Sequence, residues 1–427
     1  MEENILIIGA GIFGISTAYH LARSSANPSR IIVLDREAPP STPAASTDIN
    51  KIIRADYSDP LYMSLGLEAI EAWKSLPFFR NAGVYHQSGW IAMDEKDSDL
   101  PQRIRKNFHD SGRDEVIVDM TEEEVKSQWG GLLQRTECNP FGSYYFNPSA
   151  GWVDAGKALA IMAEKAAKMG IRYEVGEARR IVPGENGVHA VETDTGMVFK
   201  ADKILLATGA WTSHLMSSIE DELDLPHDER VENQASAAGV CVAHFQLSEA
   251  EKEVYSQLPV FVYGGQGEVI PPTETGILKF TFATSVKNII QTASGHRISV
   301  PVKNQTDAPP GLQEDSINLI RPRLPQILDG GRLPDYYRLC WDSITPDQQP
   351  LITKHPDARL PNLYLAVGGS FHSYKFLPTI GKYVVNVLDG VGNGPEKDQA
   401  WAWKPTHTNK RGVHEKLVPT RVYRDFA

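Results

Sequence analysis

The sequence predicts an α/β protein in which a Rossmann-like dinucleotide-binding domain is interleaved with a second, α+β domain built on a mostly antiparallel sheet. Three observations carry that prediction. The glycine-rich turn Gly9-Ala10-Gly11-Ile12-Phe13-Gly14 separates a strand-like run from a helical one. Two further strand-to-glycine segments stand far downstream, at residues 204–211 and 363–370. Residues 235–303 are rich in strand formers, with glycine and proline at the turns. At 427 residues the chain also exceeds one ordinary domain.

Taken in order, residues 4–8 (NILII) are a short apolar strand, and ISTAYHLARSS after the turn has helical spacing. A β-branched run, Ile31-Ile32-Val33-Leu34, ends at Asp35. This is G-x-G-x-x-G in its proper strand–turn–helix–strand setting. Gly9 permits the tight turn, Gly11 lets the backbone approach a pyrophosphate at the helix N-terminus, and Gly14 lets the helix pack closely on the strand. Asp35, with Arg36 beside it, is placed to hydrogen-bond ribose hydroxyls, which favours FAD or NAD over NADP. Residues 204–211 (ILLATGAW) resemble the strand that returns to the nucleotide domain in glutathione-reductase-like FAD enzymes, and residues 363–370 have the same form.

Between these pieces, residues 61–78 read as an amphipathic helix, 84–93 as a strand, and the charged stretch 95–128 as surface with two helices. A helix follows at 155–169, then strands at 172–175 and 188–193. Residues 311–328 read as a helix containing Pro322 and Pro325, and a tail with Trp401, Trp403 and several basic residues begins near 394. The expected division is 1–84, 142–220 and 335–393 for the nucleotide domain, 85–141 and 221–334 for the substrate domain, and 394–427 for the tail.

Apolar residues at 41% and charged residues at 23% rule out wholesale disorder, and a net charge of −11 argues against binding nucleic acid through phosphates. Three cysteines, Cys138, Cys241 and Cys340, are too few and too scattered for a disulfide framework and lack metal-ligand spacing, so no metal is expected. The acidic, glycine-broken N-terminus is not a signal peptide, no apolar run approaches the roughly 20 residues that span a bilayer, and the C-terminus carries no peroxisomal address. A cytoplasmic protein, off the membrane, is the expectation.

The segment Arg338-Leu339-Cys340-Trp341-Asp342-Ser343-Ile344-Thr345-Pro346-Asp347 resembles the C-W-x-x-x-T-P-D segment of the sarcosine oxidase family, whose fungal branch includes amadoriases and the saccharopine and pipecolate oxidases. The resemblance extends to Asp48-Ile49-Asn50-Lys51-Ile52-Ile53-Arg54 and to residues 368–381, GGSFHSYKFLPTIG. It implies FAD tethered as an 8α-S-cysteinyl thioether at Cys340, with Gly369 and Lys375 also beside the cofactor. It implies a substrate-carboxylate clamp of Arg54 and Lys375, a basic residue near the flavin at Lys51, and an oxygen-activating lysine at Lys279. Lys279 stands in the alternating run ILKFTF, where a charge is costly unless paired or functional.

The activity so implied is FAD-dependent oxidation of the C–N bond of an N-substituted amino acid by dioxygen, giving an imine, a carbonyl product and hydrogen peroxide. A monomer is expected. Ala283 stands where fructosyl amino acid oxidases carry an acidic residue that contacts the sugar, which disfavours a fructosyl substrate. Phe371-His372-Ser373-Tyr374 replaces the Gly-His-Gly-Phe of many relatives, so the pocket is expected to be reshaped, with His372 as a further substrate-binding candidate. A fructosyl amino acid oxidase, a flavin dehydrogenase with a different acceptor and a non-catalytic nucleotide-binding protein remain the alternatives.

Overall fold

The apolar runs found at both ends of the chain meet in one sheet. In the computed structural model, which describes residues 3–113, 116–404 and 421–426, six strands lie in the order Leu351–Lys354, Leu363–Val367, Lys203–Leu206, Ile5–Ile8, Ile31–Asp35 and Arg172–Val175. All neighbours are parallel except the antiparallel edge strand Leu351–Lys354. The central strands are continuously apolar because both faces are covered. Ile5 and Ile7 pack against helices Ile12–Ser24, Ala155–Lys168 and Ile380–Leu388, while Leu6 and Ile8 face a second core with helix Thr212–Glu222 and a small antiparallel sheet over 178–199.

The strand-rich middle forms a larger sheet, ordered Tyr336–Ile344, Ser236–Gln246, Ile277–Lys287, Gly267–Ile270, Val260–Tyr263, Trp90–Glu95, Phe141–Asn147 and Val118–Met120. Neighbours are antiparallel except Val260–Tyr263 with Trp90–Glu95. One face packs under helix Pro310–Arg323 through Leu278, Phe280, Leu319 and Ile320, and the other lines a cavity. Two stretches grouped by sequence with the nucleotide pieces, residues 142–147 and 336–344, are hydrogen-bonded into this sheet. Tyr336–Ile344 pairs residue for residue with Ser236–Gln246, from Ser236 against Ile344 to His244 against Tyr336.

Elsewhere glycine and proline cut the expected elements. The strand expected over 84–93 is two, Tyr85–His86 and Trp90–Glu95, in different sheets, because Gly89 turns the chain at φ +80°. The helix expected to reach 328 ends at Arg323, since Pro325 forces Leu324 out of helical geometry, and a 3₁₀ segment follows over Pro325–Gly331. The tail is only partly surface. Trp401 is buried in the core and donates its indole N–H to Tyr62 Oη at 3.1 Å, and Arg421–Val422 pairs with the end of Ile277–Lys287. Residues 405–420 of the expected tail lie outside the described residues. No helix among the described residues is long and apolar enough to cross a membrane.

Candidate active site

The glycine turn opens onto a cavity lined by Gly9, Gly11, Asp35, Arg36, Gly176 to Arg179, Trp211 and Gly369. Gly9 sits at φ +104°, and a Cβ on it would lie 2.3 Å from the Ala207 carbonyl oxygen. Gly14 does not line the cavity. It lies beneath the turn, where a Cβ would come within 1.8 Å of the Gly9 carbonyl oxygen. Helix Ile12–Ser24 begins at Gly11 with no capping side chain on Gly11 and no acid in its first turn, so its positive end faces the cavity, with Ile12 N–H donating to Ser46 Oγ. Asp35 accepts from the Ala10 and Arg36 amides, both at 2.7 Å, and its burial pushes its carboxyl above the usual range. The Arg36 guanidinium stacks 4.4 Å from the Trp211 ring centroid. An anion site at a helix start, a carboxylate at the second strand end and a stacked cation fit a dinucleotide.

A second cavity of about 790 Å³ adjoins the first, and Lys51, Cys340, Phe371 and Tyr374 line both. Cys340 is 3% exposed, set among Ala45, Val240, Val242 and Phe371, with its Sγ 3.9 Å from Lys51 Nζ. Cys138 and Cys241 lie in other cores, and burial raises both thiols, Cys241 to about 11. Phe371 reaches the junction through a tight turn: Gly368, Ser370 and Phe371 all have positive φ. The Asp342 carboxylate accepts from the Phe371 and Ser343 amides at 2.8 Å, and a Cβ on Gly369 would press to 2.7 Å from it.

The remaining candidates, Arg54, Lys279, His372 and Lys375, all line this second cavity. Lys279 is 2% exposed, and its Nζ donates to Asp48 Oδ2 at 2.9 Å and to the Asn50 carbonyl at 2.6 Å. Lys51 reaches the same Asp48 oxygen at 2.9 Å, and Arg338 approaches the other at 3.9 Å. Burial alone would raise Asp48, but Lys279 and Lys51 overcome it and hold the carboxyl well below its ordinary range. Burial works against the Lys51 ammonium too, yet Asp48 keeps it above the usual lysine value, whereas burial leaves Lys279 below it.

Arg54 lies buried between the rings of Tyr57 and Trp90, 4.5 and 4.7 Å from their centroids, and donates to the Asp56 carbonyl. Lys375 Nζ donates to Tyr57 Oη at 2.8 Å and to the His372 carbonyl. His372 Nε2–H must donate to the Gln348 carbonyl at 2.8 Å, so Nδ1 accepts from the Tyr57 hydroxyl at 3.0 Å. Both ring nitrogens therefore have protein partners. Burial, then Lys375, hold His372 well below its ordinary value and hence neutral; burial, then Arg54, lower Lys375.

Sequence reading passed over Asp48, Asp56, Tyr57, Glu268 and Asp342 as site residues. Asp48 opens one of the quoted motifs, so its position was legible. Asp56 and Tyr57 lie two and three residues after Arg54, but nothing local shows that Asp56 Oδ2 accepts from Asn147 at 2.9 Å. Glu268 belongs to a strand whose cavity face only sheet register reveals.

Residues 4–387 match the family model described as FAD dependent oxidoreductase (DAO). The chain belongs to that family. As an FAD-dependent oxidoreductase it is 29% identical to the L-saccharopine oxidase of Schizosaccharomyces pombe, over 95% of this chain and 94% of that one. It is 23% identical to a monomeric sarcosine oxidase of Bacillus, over 89% and 91% of the two chains. The solved fructosamine oxidase of Aspergillus fumigatus, Amadoriase II, superposes with a TM-score of 0.81 at 26% identity, covering 95% of this chain and 90% of its own. The expected α/β FAD-binding fold and the expected class of enzyme both hold.

Proposed function

We propose that this FAD-dependent oxidoreductase oxidises the C–N bond of an N-substituted amino acid at the expense of dioxygen. One observation carries the reading: a cavity that begins at Cys340, where the dinucleotide cradle ends, has a cationic clamp of Arg54 and Lys375 on its wall and the buried Lys279 ammonium on its sheet. FAD, when bound, supplies the acceptor for the two electrons leaving the carbon beside nitrogen and passes them on to dioxygen. Arg54 and Lys375 bind the substrate carboxylate and so fix which carbon is presented. Tyr57 and His372 hold Lys375 in place, and neutral His372 adds no charge to repel it. Lys279, anchored by Asp48, offers a fixed cation to the negative charge that develops on dioxygen. Cys340, accessible to both cavities and beside the Lys51 ammonium, is the residue that would carry the flavin as a thioether.

The names of the relatives, saccharopine and sarcosine oxidase, support an N-substituted amino acid, and a monomeric relative supports a monomer. A cytoplasmic location is part of the same proposal. The likeness to a fructosamine oxidase supports a second reading, oxidation of fructosyl amino acids, against which Ala283 stands. The test is peroxide release by the purified yellow protein across N-methyl, N-carboxyalkyl and fructosyl amino acids. Turnover of the first or second set supports the proposal, turnover of the fructosyl set alone replaces it with the second reading, and reduction by substrate without peroxide refutes the oxidase.

A further inference from the structure

Register places Glu268 where the proposed chemistry leaves a charge unanswered. On strand Ile277–Lys287, Leu278, Phe280 and Phe282 face the apolar core, so Lys279, Thr281 and Ala283 face the cavity. Their neighbour Gly267–Ile270 pairs Ile270 with Lys279 and Glu268 with Thr281. Glu268 therefore stands two residues along the sheet from the Ile270–Lys279 pair, about 6–7 Å away on the same face. It is half-buried and lines the cavity.

The other acids inside the cavity are engaged. Asp48 is held by Lys51 and Lys279, and Asp56 accepts from Asn147 and interacts with Arg54. Among the described residues none makes a side-chain hydrogen bond or an ion pair within 4 Å to the Glu268 carboxylate, which is nonetheless near enough to act electrostatically on Lys279 and Lys375. A ligand that fills the cavity strips water from this carboxylate, which is costly unless the ligand brings a counter-charge. The stretch Asp94-Glu95-Lys96-Asp97-Ser98-Asp99 also lines the cavity, and although Asp99 pairs with Arg103 at 3.2 Å, its acids outnumber its bases, which favours entry of a cation.

We propose that Glu268 is a specificity residue that reads a second cationic group on the substrate, an ammonium or guanidinium carried on the arm beyond the reacting amine. The preferred substrates are then N-substituted amino acids with a distal cation: one end is clamped as carboxylate by Arg54 and Lys375, and the other is paired with Glu268. This rests on the reading of the clamp given above and names the substrate class it serves.

The test uses the holoenzyme and three thioethers with sulfur in place of the reacting nitrogen: ω-aminobutylthio-acetate, its methyl isostere pentylthio-acetate, and ω-hydroxybutylthio-acetate. Binding is read by calorimetry and by perturbation of the flavin spectrum. The wild type binds the ammonium compound about tenfold or more tighter than either neutral one, and Glu268→Gln reduces that ratio to about twofold while leaving the pentyl compound unchanged. Unchanged pentyl binding also shows that the variant is folded, and Glu268→Asp retains part of the preference. The proposal is overturned if the wild type does not prefer the ammonium, if the hydroxyl compound binds as well, or if Glu268→Gln weakens all three alike. If no amine yields peroxide but the ammonium preference and its loss hold, the oxidase reading falls and this one stands.

Discussion

Asp48 is the residue on which the buried charges of the site depend. Replacing it with asparagine keeps the shape and removes the charge, leaving Lys279 with the Asn50 carbonyl, and Lys51 without its carboxylate. Breaking one side of a buried ion pair costs about 3–5 kcal/mol, because the surviving charge stays desolvated. Unfolding entropy of about 2.1 cal/mol/K per residue gives roughly 0.9 kcal/mol/K for this chain, so the expected fall in Tm is about 3–6 °C at pH 7. The double variant Asp48→Asn/Lys279→Met removes both partners and recovers a large part of that loss. The pH dependence has a definite sign. The folded-state pKa of Asp48 is depressed, so its stabilisation is full above the ordinary carboxylate value of about 3.9 and is lost as the pH falls through the folded value. The gap between wild type and Asp48→Asn therefore stays open at neutral pH and closes only in acid. Thermal melts of the holoproteins followed by circular dichroism measure it. A Tm within about 1 °C of wild type at pH 7, or a double variant less stable than the single one, would refute the argument.

Three further outcomes are expected. Cys340→Ser yields protein whose FAD is released by acid precipitation, whereas the wild type retains it; flavin that stays with the precipitated variant places any tether elsewhere. Lys279→Met slows reoxidation of reduced flavin by oxygen far more than reduction by substrate in stopped-flow traces, and equal slowing of both would remove its oxygen role. Because burial, then Arg54, lower Lys375, a carboxylate ligand draws a proton onto it at pH values between its depressed value and about 10.4, so affinity falls as pH rises. Calorimetry in buffers of different ionisation enthalpy measures that proton; Lys375→Arg abolishes the uptake, and buffer-independent heats in the wild type would contradict it.

Much of this protein is written locally. Gly9-Ala10-Gly11-Ile12-Phe13-Gly14 with its flanking strands specifies a turn whose backbone only glycine permits, and Cys340-Trp341 with Thr345-Pro346-Asp347 marks the junction cysteine among three. In ILKFTF, Leu278, Phe280 and Phe282 alternate with Lys279 and Thr281, so a strand there sets Lys279 on the face opposite the core. Such patterns are legible because a turn, a strand face or a helix stripe is decided within a few residues. Where local punctuation was misjudged, as at Gly89 and Pro325, the element simply broke there.

The charge states were decided only by tertiary structure. Lys279 and Asp48 are 231 residues apart in sequence, Lys375 and Tyr57 are 318 apart, and no window of sequence contains either pair. That burial holds His372 neutral with both ring nitrogens partnered, that Asp48 anchors two lysines, and that Glu268 faces the cavity while Val269 faces the core all follow from which segments pair and what they bury. The cradle is backbone geometry, which neighbouring residues determine. The chemistry of the site is desolvation and charge pairing, which exist only after distant segments have closed around the same space.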